Sequence, residues 1–275
     1  MKQFLKIALA VLFVGLVSFA VIKGCVHKKS HFRAAVSQRI SSATKASADG
    51  FAPTVAKPKM AIILDDWGNN FSLTKNAVEI DRPLTLSILP HLAKSKQIAE
   101  EAYAHGLGVM LHMPMEPKNQ NERMEPHTIL TTTPDAEIVQ YLDLALASIP
   151  HVQGVNNHQG SKATSDLRVM KTVFGHLKKT ELFFVDSYVI ATSVAAKTAK
   201  EEGVRSAKRD IFLDNINKPE PIKEELRKAI QIAQKHGQVV VIGHDRKTTL
   251  QTIKEMVPEI EAAGVHLVLA KELVQ

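Results

Sequence analysis

The chain has 275 residues, of which 45% are hydrophobic and one is cysteine. This apolar fraction supports a packed core, which excludes a disordered protein, and a single cysteine excludes a small domain held together by disulfides. The excess of positive charge lies in residues 1–59, with ten Lys and Arg against one acid, whereas residues 60–275 hold 25 Lys and Arg against 27 acids. A nucleic-acid-binding domain carries its basic patch on the folded part, so we expect no nucleic-acid partner.

Residues 1–29 predict an N-terminal membrane anchor or signal segment. Residues 7–22 carry no charge, and the run extended to 4–22 would span about 28 Å as a transmembrane helix, close to the thickness of a bilayer core. Lys23 follows the run before any small-x-small cleavage site, which favours an uncleaved inner-membrane anchor with a periplasmic domain. The positive charges that follow the run favour the opposite orientation, with the domain in the cytoplasm.

Residues 30–57 predict a disordered tether between the anchor and a folded domain. The segment is rich in Ser, Ala, Thr and Lys and shows no apolar period. Such a composition cannot bury enough apolar surface to fold. We therefore expect the folded domain at residues 58–275.

Eight short apolar runs predict the strands of this domain, and stretches with helical spacing separate most of them. The runs are 60–64, 84–89, 108–113, 152–157, 182–187, 209–214, 239–244 and 265–270. Runs without alternation are typical of strands buried on both faces, and strand–helix alternation predicts a parallel sheet. We expect an α/β fold, a distorted (β/α) barrel of about seven to eight strands, with an open doubly wound sheet as the alternative.

Polar side chains collect at the carboxyl ends of six runs. They are Asp65 and Asp66, His112, Asn156 to His158, Asp186 and Ser187, Asp214 and Asn215, and His244 and Asp245. In a parallel barrel the carboxyl ends of all strands open onto one face, where the active sites of this architecture lie. We therefore expect carboxylates, imidazoles and amides from six strands to meet at one place.

The types of these residues favour metal-assisted hydrolysis. Asp65 and Asp66 are consecutive, so in a regular strand their side chains point in opposite directions, and one can bind a metal while the other acts as a base. Carboxylate and neutral imidazole suit one divalent ion, Zn²⁺ first among them. His112, His158 and His244 lie at or near buried strand ends, where an imidazole without a partner would be costly.

Several of these residues also have purely structural interpretations. Asp66 to Gly68, like the pair Asn156 and Asn157, could simply begin a loop. Trp67 could form a wall for a sugar ring or pack in the core. Ser187 lies in no G-x-S-x-G elbow, which argues against a serine hydrolase.

Six segments in order carry a family resemblance. They are IILDDWG (62–68), HGLGVMLHMPMEP (105–117), GVNNHQGSKAT (154–164), FVDS (184–187), RDIFLDN (209–215) and VIGHDRKTTL (241–250). Together they resemble the divergent polysaccharide deacetylase family, a branch of the NodB-like deacetylases, over about residues 58–275. The resemblance implies a distorted (β/α) barrel that uses one divalent metal ion to remove acetyl groups from an acetylated polysaccharide or glycan.

The resemblance also implies roles for individual residues. Asp65 corresponds to the catalytic base, Asp66 to a metal ligand, and His112 to the first of two metal-binding histidines. The second histidine of that motif would stand four residues later, where this chain has Glu116. His158 is the candidate that completes the metal set, on the ground of its predicted position near a strand end and not of a matched motif. His244 resembles the general acid of the last motif, while the arginine–proline motif of the family is not visible.

The surroundings of these positions leave two functions open. The residues expected to contact substrate are Trp67, Glu116, Asn157, Asp186 and Asp245. Loss of the second motif histidine and of the arginine motif favours a non-catalytic glycan- or partner-binding module that keeps the barrel and the metal pocket, whereas Asp65, Asp66 and His244 favour the enzyme. A soluble metallohydrolase acting on a small metabolite would not need an anchor and a tether.

Overall fold

The computed structural model describes residues 57–275. Within this range, no helix combines the length and the apolar character needed to cross a bilayer. The predicted anchor at 4–22 and, except for Lys57, the predicted tether at 30–57 lie outside the described residues.

Strands and helices alternate through the described part of the chain. The strands are β1 (Lys59–Trp67), β2 (Thr85–Ile88), β3 (Gly108–Met115), β4 (Gly154–Gln159), β5 (Phe183–Asp186), β6 (Ser206–Lys208), β7 (Ile211–Phe212), β8 (Gln238–His244) and β9 (His266–Val268). The helices are α1 (Ser72–Val78), α2 (Ser95–Ala104), α3 (Asp135–Ser148), α4 (Leu167–Thr180), α5 (Ala195–Glu202), α6 (Pro219–His236) and α7 (Lys247–Ala262).

The strands form one parallel sheet that follows the order of a barrel. The order is β6-β5-β4-β3-β2-β1-β8-β7, with β9 paired to β1. This order does not reverse direction as in a doubly wound sheet, where strands run outward in both directions from a switch point. The prediction of an α/β fold with a parallel sheet is confirmed, and the alternative of a doubly wound sheet is wrong.

The sheet curls without closing fully, and the interruption lies between β6 and β7. Residues 206–208 pair with β5, and residues 211–212 pair with β8, so this short stretch of chain crosses from one end of the sheet to the other. Each of the eight predicted runs contains a strand. The predicted number of seven to eight is too small by one strand, because β6 has the polar sequence Ser-Ala-Lys and gave no apolar signal.

Strand β1 shows why the runs are apolar without alternation. Met60, Ile62 and Leu64 pack in the larger hydrophobic cluster with residues of the helices, whereas Ala61 and Ile63 pack in the smaller one with Met110, Phe183 and Ile242. Both faces of the strand are therefore buried, and each large side chain contributes about 1.5–3 kcal/mol through the hydrophobic effect. Continuous burial fixes the position of Asp65 and Asp66 at the end of this strand.

Helix α6 is joined to the sheet by a tight turn. Its C-terminal residue is followed by Gly237 in the left-handed region (φ 84°), where glycine avoids the cost of a Cβ atom. The carbonyl oxygen of Gly237 accepts a hydrogen bond from the amide of Lys59 at 3.0 Å. This contact begins the pairing of β8 with β1, and that pairing brings His244 opposite Asp65.

Candidate metal centre

A β-bulge at the end of β1 turns both aspartates toward one pocket. Leu64 pairs with Leu86 and Trp67 with Ile88, so β1 carries one residue more than β2 over this interval. Asp66 takes up the extra residue with a left-handed backbone (φ 68°). The Nε2 atom of His112 consequently lies 3.3 Å from an Asp66 carboxylate oxygen and 3.7 Å from an Asp65 carboxylate oxygen. The expectation that the two carboxylates point in opposite directions is wrong, because the bulge breaks the alternation on which it rests.

The three predicted metal ligands lie together. Asp66 Oδ1 is 3.1 Å from His158 Nδ1 and 3.3 Å from His112 Nε2, and the two imidazole nitrogens are 3.2 Å apart. Four ligands at about 2.0–2.1 Å from a tetrahedral zinc ion would stand about 3.3 Å from one another. One carboxylate and two imidazoles at these separations therefore fit a shared Zn²⁺ or similar ion and leave a coordination position open.

The orientation of His112 suits a ligand that binds through Nε2. Its Nδ1 atom lies 2.7 Å from the amide oxygen of Asn156, which accepts the Nδ1 proton and leaves Nε2 facing the cluster. Burial disfavours the charged imidazole, but the carboxylates of Asp65 and Asp66 outweigh this cost and raise the pKa of His112 to about 9 in the metal-free protein. The same attraction that holds a proton here would hold a cation.

The two aspartates differ in their electrostatic surroundings. Burial raises the pKa of Asp65, and the nearby charge of His112 only partly offsets this effect. Burial acts on Asp66 in the same sense, but hydrogen bonds from His112 and His158 hold its pKa well below the usual range. Asp66 thus stays ionised as a ligand must, whereas Asp65 has the more basic carboxylate.

His244 forms a pair with a buried aspartate that was not among the predicted site residues. Its Nδ1 atom lies 2.7 Å from Asp214 Oδ1, and its Nε2 atom lies 3.7 Å from Asp66 Oδ2. Asp214 is fully buried and also accepts hydrogen bonds from the His244 amide and from Thr249 Oγ1. Burial disfavours the charged imidazole, but the hydrogen bond to Asp214 outweighs it and raises the pKa of His244.

Asp245, one of the predicted substrate contacts, directly follows His244 at the end of β8. Its amide donates to the carbonyl oxygen of Asp65 at 3.0 Å. Burial and the negative charge of Asp66 raise the pKa of its carboxyl group to about 7. Asp245 is half-buried, so its carboxyl group keeps partial contact with solvent.

Two other predicted substrate contacts support the loops around the pocket. The Asn157 amide accepts from the Ser187 backbone and donates to the Gln159 carbonyl, so it ties the end of β4 to the end of β5. The Asp186 carboxylate accepts from the Tyr188 amide and from Ser193 Oγ, within the loop after β5. Their role toward substrate stays a prediction.

Trp67 does not line the pocket. Its side chain is 0% exposed and belongs to the larger hydrophobic cluster. The residue follows the bulge, so its side chain points to the helical layer that also receives Leu64. The interpretation of Trp67 as a wall for a sugar ring is therefore wrong, and the side chain packs in the core instead.

Glu116 acts as a clamp between two loops at the mouth. Its carboxylate accepts from Lys162 Nζ at 2.7 Å and from both the amide and the hydroxyl of Thr131, at 2.5 and 2.7 Å. Its carbonyl oxygen accepts from the amides of Lys162 and Ala163. The side chain that stands four residues after His112 is thus engaged with the loops, and the second imidazole beside His112 comes from the neighbouring strand β4.

Comparison with known proteins identifies the family. A model of the divergent polysaccharide deacetylase family matches residues 62–274. The chain belongs to this family. The resemblance drawn from the six sequence segments is therefore confirmed.

Two relatives of this chain share its sequence at moderate identity. An uncharacterized protein of Haemophilus influenzae is 33% identical over 199 residues, which are 72% of this chain and 71% of the relative. The uncharacterized protein YibQ of Escherichia coli is 30% identical over 199 residues, which are 72% of this chain and 62% of that protein. The match therefore spans less than two thirds of YibQ.

Solved structures share the fold of this chain. The uncharacterized protein ATU2773 of Agrobacterium tumefaciens superposes with a TM-score of 0.76 at 22% identity, over 80% of this chain and 91% of that chain. A mutant of BA3943, a CE4 family pseudoenzyme, superposes with a TM-score of 0.50 at 14% identity, over 79% of this chain and 67% of that chain. At these identities the likeness establishes the fold alone.

Proposed function

We propose that this domain is a metal-dependent hydrolase that removes acetyl groups from a glycan of the cell envelope. The observation that carries the proposal is the set of separations of 3.1–3.3 Å among Asp66 Oδ1, His112 Nε2 and His158 Nδ1. Asp65 Oδ2 lies 3.7 Å from His112 Nε2, and His244, held by Asp214, places its Nε2 atom 3.7 Å from Asp66 Oδ2. The family membership supports an acetylated polysaccharide as the class of substrate.

The residues divide the chemistry of deacetylation between them. Asp66, His112 and His158 would hold one divalent ion, which supplies Lewis acidity toward the acetyl carbonyl. Asp65 takes a proton from the attacking water, and the burial that raises its pKa makes it the better base of the two aspartates. His244 gives a proton from Nε2 to the leaving amine or hydroxyl, while Asp214 holds Nδ1 and stabilises the imidazolium.

The proposal is tested by metal content and acetate release. The full-length protein is purified, its bound zinc is measured, and acetate release is followed with acetylated chitooligosaccharides and acetylated xylan. We expect one zinc per chain and turnover that falls by at least about 100-fold in Asp65→Asn, because the general base is lost. Asp81→Asn is the control, since Asp81 is an exposed aspartate whose left-handed backbone asparagine accepts.

The outcomes separate the proposed enzyme from the binding module. If the protein binds zinc through Asp66 and binds glycan but releases no acetate, the hydrolase is rejected and the non-catalytic binding module remains. Absence of zinc binding, even after zinc is added, would reject both.

The envelope location and the membrane anchor at 4–22 are part of the same proposal. A reporter that is active only in the periplasm, fused after Gln275, is expected to be active, and a cytoplasmic reporter at the same position is expected to be silent. The reverse pattern would place the domain in the cytoplasm, as the charges after the apolar run favour.

A further inference from the structure

Strand β4 carries a fully buried asparagine between the metal ligands and the general base. Asn156 is 0% exposed and lies opposite His112 in the pairing of β3 with β4. It is two residues before His158, so both side chains lie on the same face of β4. Asn156 has no place in the chemistry proposed above, yet its amide contacts both sides of the site.

The amide of Asn156 uses its full hydrogen-bonding capacity. Its oxygen accepts from His112 Nδ1 at 2.7 Å and from Ser87 Oγ at 2.5 Å. Its nitrogen donates to Asp65 Oδ1 at 2.9 Å and to Ser187 Oγ at 3.3 Å. An asparagine side chain offers two donor hydrogens and two acceptor lone pairs, and all four are engaged here.

Asp65 is a carboxylate in the form that acts as the proposed base, and this form fixes which way the amide faces. With the amide reversed, its oxygen would stand against Asp65 Oδ1 at the same short distance, and two acceptors would face each other. The oxygen of Asn156 must therefore point to His112, which requires a proton on His112 Nδ1. The lone pair of Nε2 is then directed at Asp66 and His158.

The same amide orients the base. Because Asn156 holds Asp65 Oδ1, the other carboxylate oxygen, Oδ2, is the one that lies 3.7 Å from His112 Nε2 in the pocket. Ser87 and Ser187 contact the amide from either side and hold it in place.

We propose that Asn156 is the positioning residue of this site, which sets the tautomer of the metal ligand His112 and the orientation of the base Asp65 through one amide group. The inference rests on the proposed function for its catalytic half, since Asp65 acts as a base only in an enzyme. Its other half concerns zinc affinity and stands on the contacts of the Asn156 amide with His112 and Asp65.

The test measures zinc affinity and turnover separately in the full-length protein. Zinc affinity is obtained by competition with a chromophoric chelator, and kcat is measured at saturating zinc. We expect Asn156→Ala to weaken zinc binding by about 10–100-fold, the usual loss when the partner of a ligating histidine is removed. We also expect kcat to fall at saturating zinc, because Asp65 loses the donor that orients it.

Asn157→Ala is the matched control for zinc affinity. Asn157 is the next residue of β4 and is equally buried, but its amide contacts neither His112 nor Asp65. Its zinc affinity is expected to stay within about threefold of the wild type, since no orienting partner of a ligand is lost.

A double-mutant cycle distinguishes positioning from a general loss of structure. If Asn156 acts through His112, then Asn156→Ala adds little further loss of zinc affinity in a His112→Ala background. If Asn156→Ala does not fold, Asn156→Ser replaces it in the test, because serine is smaller than asparagine but keeps a polar atom. Thermal unfolding of the zinc-free variants shows whether each of them is folded.

The outcomes are separable from those of the proposed function. Unchanged zinc affinity in a folded Asn156 variant, or losses that simply add in the His112→Ala background, would overturn the inference. A wild-type protein that binds zinc but releases no acetate would reject the proposed enzyme, and the zinc measurements would still decide the role of Asn156.

Discussion

Asp66 is the residue on which the imidazoles of the site converge. His112 and His158 approach one of its carboxylate oxygens at 3.3 and 3.1 Å, and His244 approaches the other at 3.7 Å. These positive or proton-donating groups keep the pKa of Asp66 well below its usual range. In the metal-free protein, the proton on His112 therefore stabilises the same arrangement that a cation would.

This balance predicts a dependence of stability on pH for the metal-free protein. The pKa of His112 is about 9 in the folded state against 6.5 in the unfolded state, so its proton stabilises the fold fully below about pH 6.5. This contribution, on the order of 3 kcal/mol, is lost as the pH rises through about 9. Urea unfolding of the zinc-free protein at pH 6.5 and pH 9 should show the decline in the free energy of unfolding.

His112→Asn is the control for this dependence. The variant lacks the titrating imidazole, so its free energy of unfolding should change less between the two pH values. Some slope should remain, because the pKa of His244 is also raised. A zinc-free wild-type protein that becomes more stable from pH 6.5 to pH 9 would contradict the electrostatic account of the site.

At the scale of the element, the end of β1 depends on the backbone as much as on the side chains. Asp66 has a left-handed backbone within the bulge, with φ at 68°. Aspartate and asparagine tolerate this conformation better than most residues, and glycine tolerates it best. The bulge therefore restricts which residues can occupy a position whose side chain is proposed to bind the metal.

Substitutions of Asp66 separate the requirement for a left-handed backbone from the requirement for a carboxylate ligand. In the zinc-free protein, we expect Asp66→Gly to be more stable than Asp66→Ala by about 1 kcal/mol, because only alanine meets the cost of a Cβ atom at positive φ. Chemical denaturation measures the difference, and both variants should lose tight zinc binding.

Ala61→Gly, in the same strand, is the control in which glycine should destabilise the protein and not stabilise it. Ala61 is buried in β1 and has no positive φ, so glycine should destabilise the protein there. If Asp66→Gly were less stable than Asp66→Ala, the left-handed conformation would not be the property that matters at residue 66.

The loop after β3 is held by the Glu116 clamp, which predicts its resistance to proteases. Lys118 and Arg123 are exposed in this loop and are sites for trypsin. Glu116→Ala removes the acceptor for Lys162 and Thr131, so we expect cleavage at these sites to be roughly tenfold faster. Limited digestion followed by mass spectrometry measures the rate.

Glu125→Ala is the comparison within the same loop. The backbone carbonyl oxygen of Glu125 accepts a hydrogen bond from Thr128 Oγ1. Removal of the Glu125 carboxylate keeps this bond, so the cleavage rate should stay near that of the wild type. Equal rates for the two variants would show that Glu116 does not hold the loop.

At the scale of the whole molecule, residues 57–275 contain both hydrophobic clusters and the complete described sheet. We therefore expect a fragment of these residues to fold on its own and to unfold in one cooperative transition. Trp67 is the only tryptophan of the chain and is buried, so its fluorescence reports the core. Urea transitions by fluorescence and circular dichroism should coincide, and separate transitions would contradict a single folding unit.

The sequence predicted the strands well because burial on both faces leaves an unbroken apolar run. β6 escaped prediction because its three residues are polar and lie at an end of the sheet. The polar ends of the strands predicted where Asp66, His112 and His158 would meet, since parallel strands open onto one face. These parts of the molecule depend on local composition and on the direction of the chain.

Other parts depend on register, which the sequence does not display. The bulge at Asp66 can be seen only in the pairing of β1 with β2. Because the sequence does not show this bulge, the rule that successive side chains of a strand alternate in direction placed one of the two carboxylates wrongly. Asp214 is 30 residues from His244, and Asn156 is 91 residues from Asp65, so neither pair could be recognised before the strands were aligned. The burial of Trp67 is a consequence of the same bulge.

The direction of β1 has a consequence for the size of molecule that can reach the pocket. Lys59 begins the strand and Asp65 and Asp66 end it, about 20 Å away at the rise of a β-strand. Residue 57, where the described chain begins, therefore lies near the opposite end of β1 from the two aspartates. If the domain acts on a long polymer, as proposed, the polymer meets the end of β1 that carries Asp65 and Asp66 and not the end where the described chain begins.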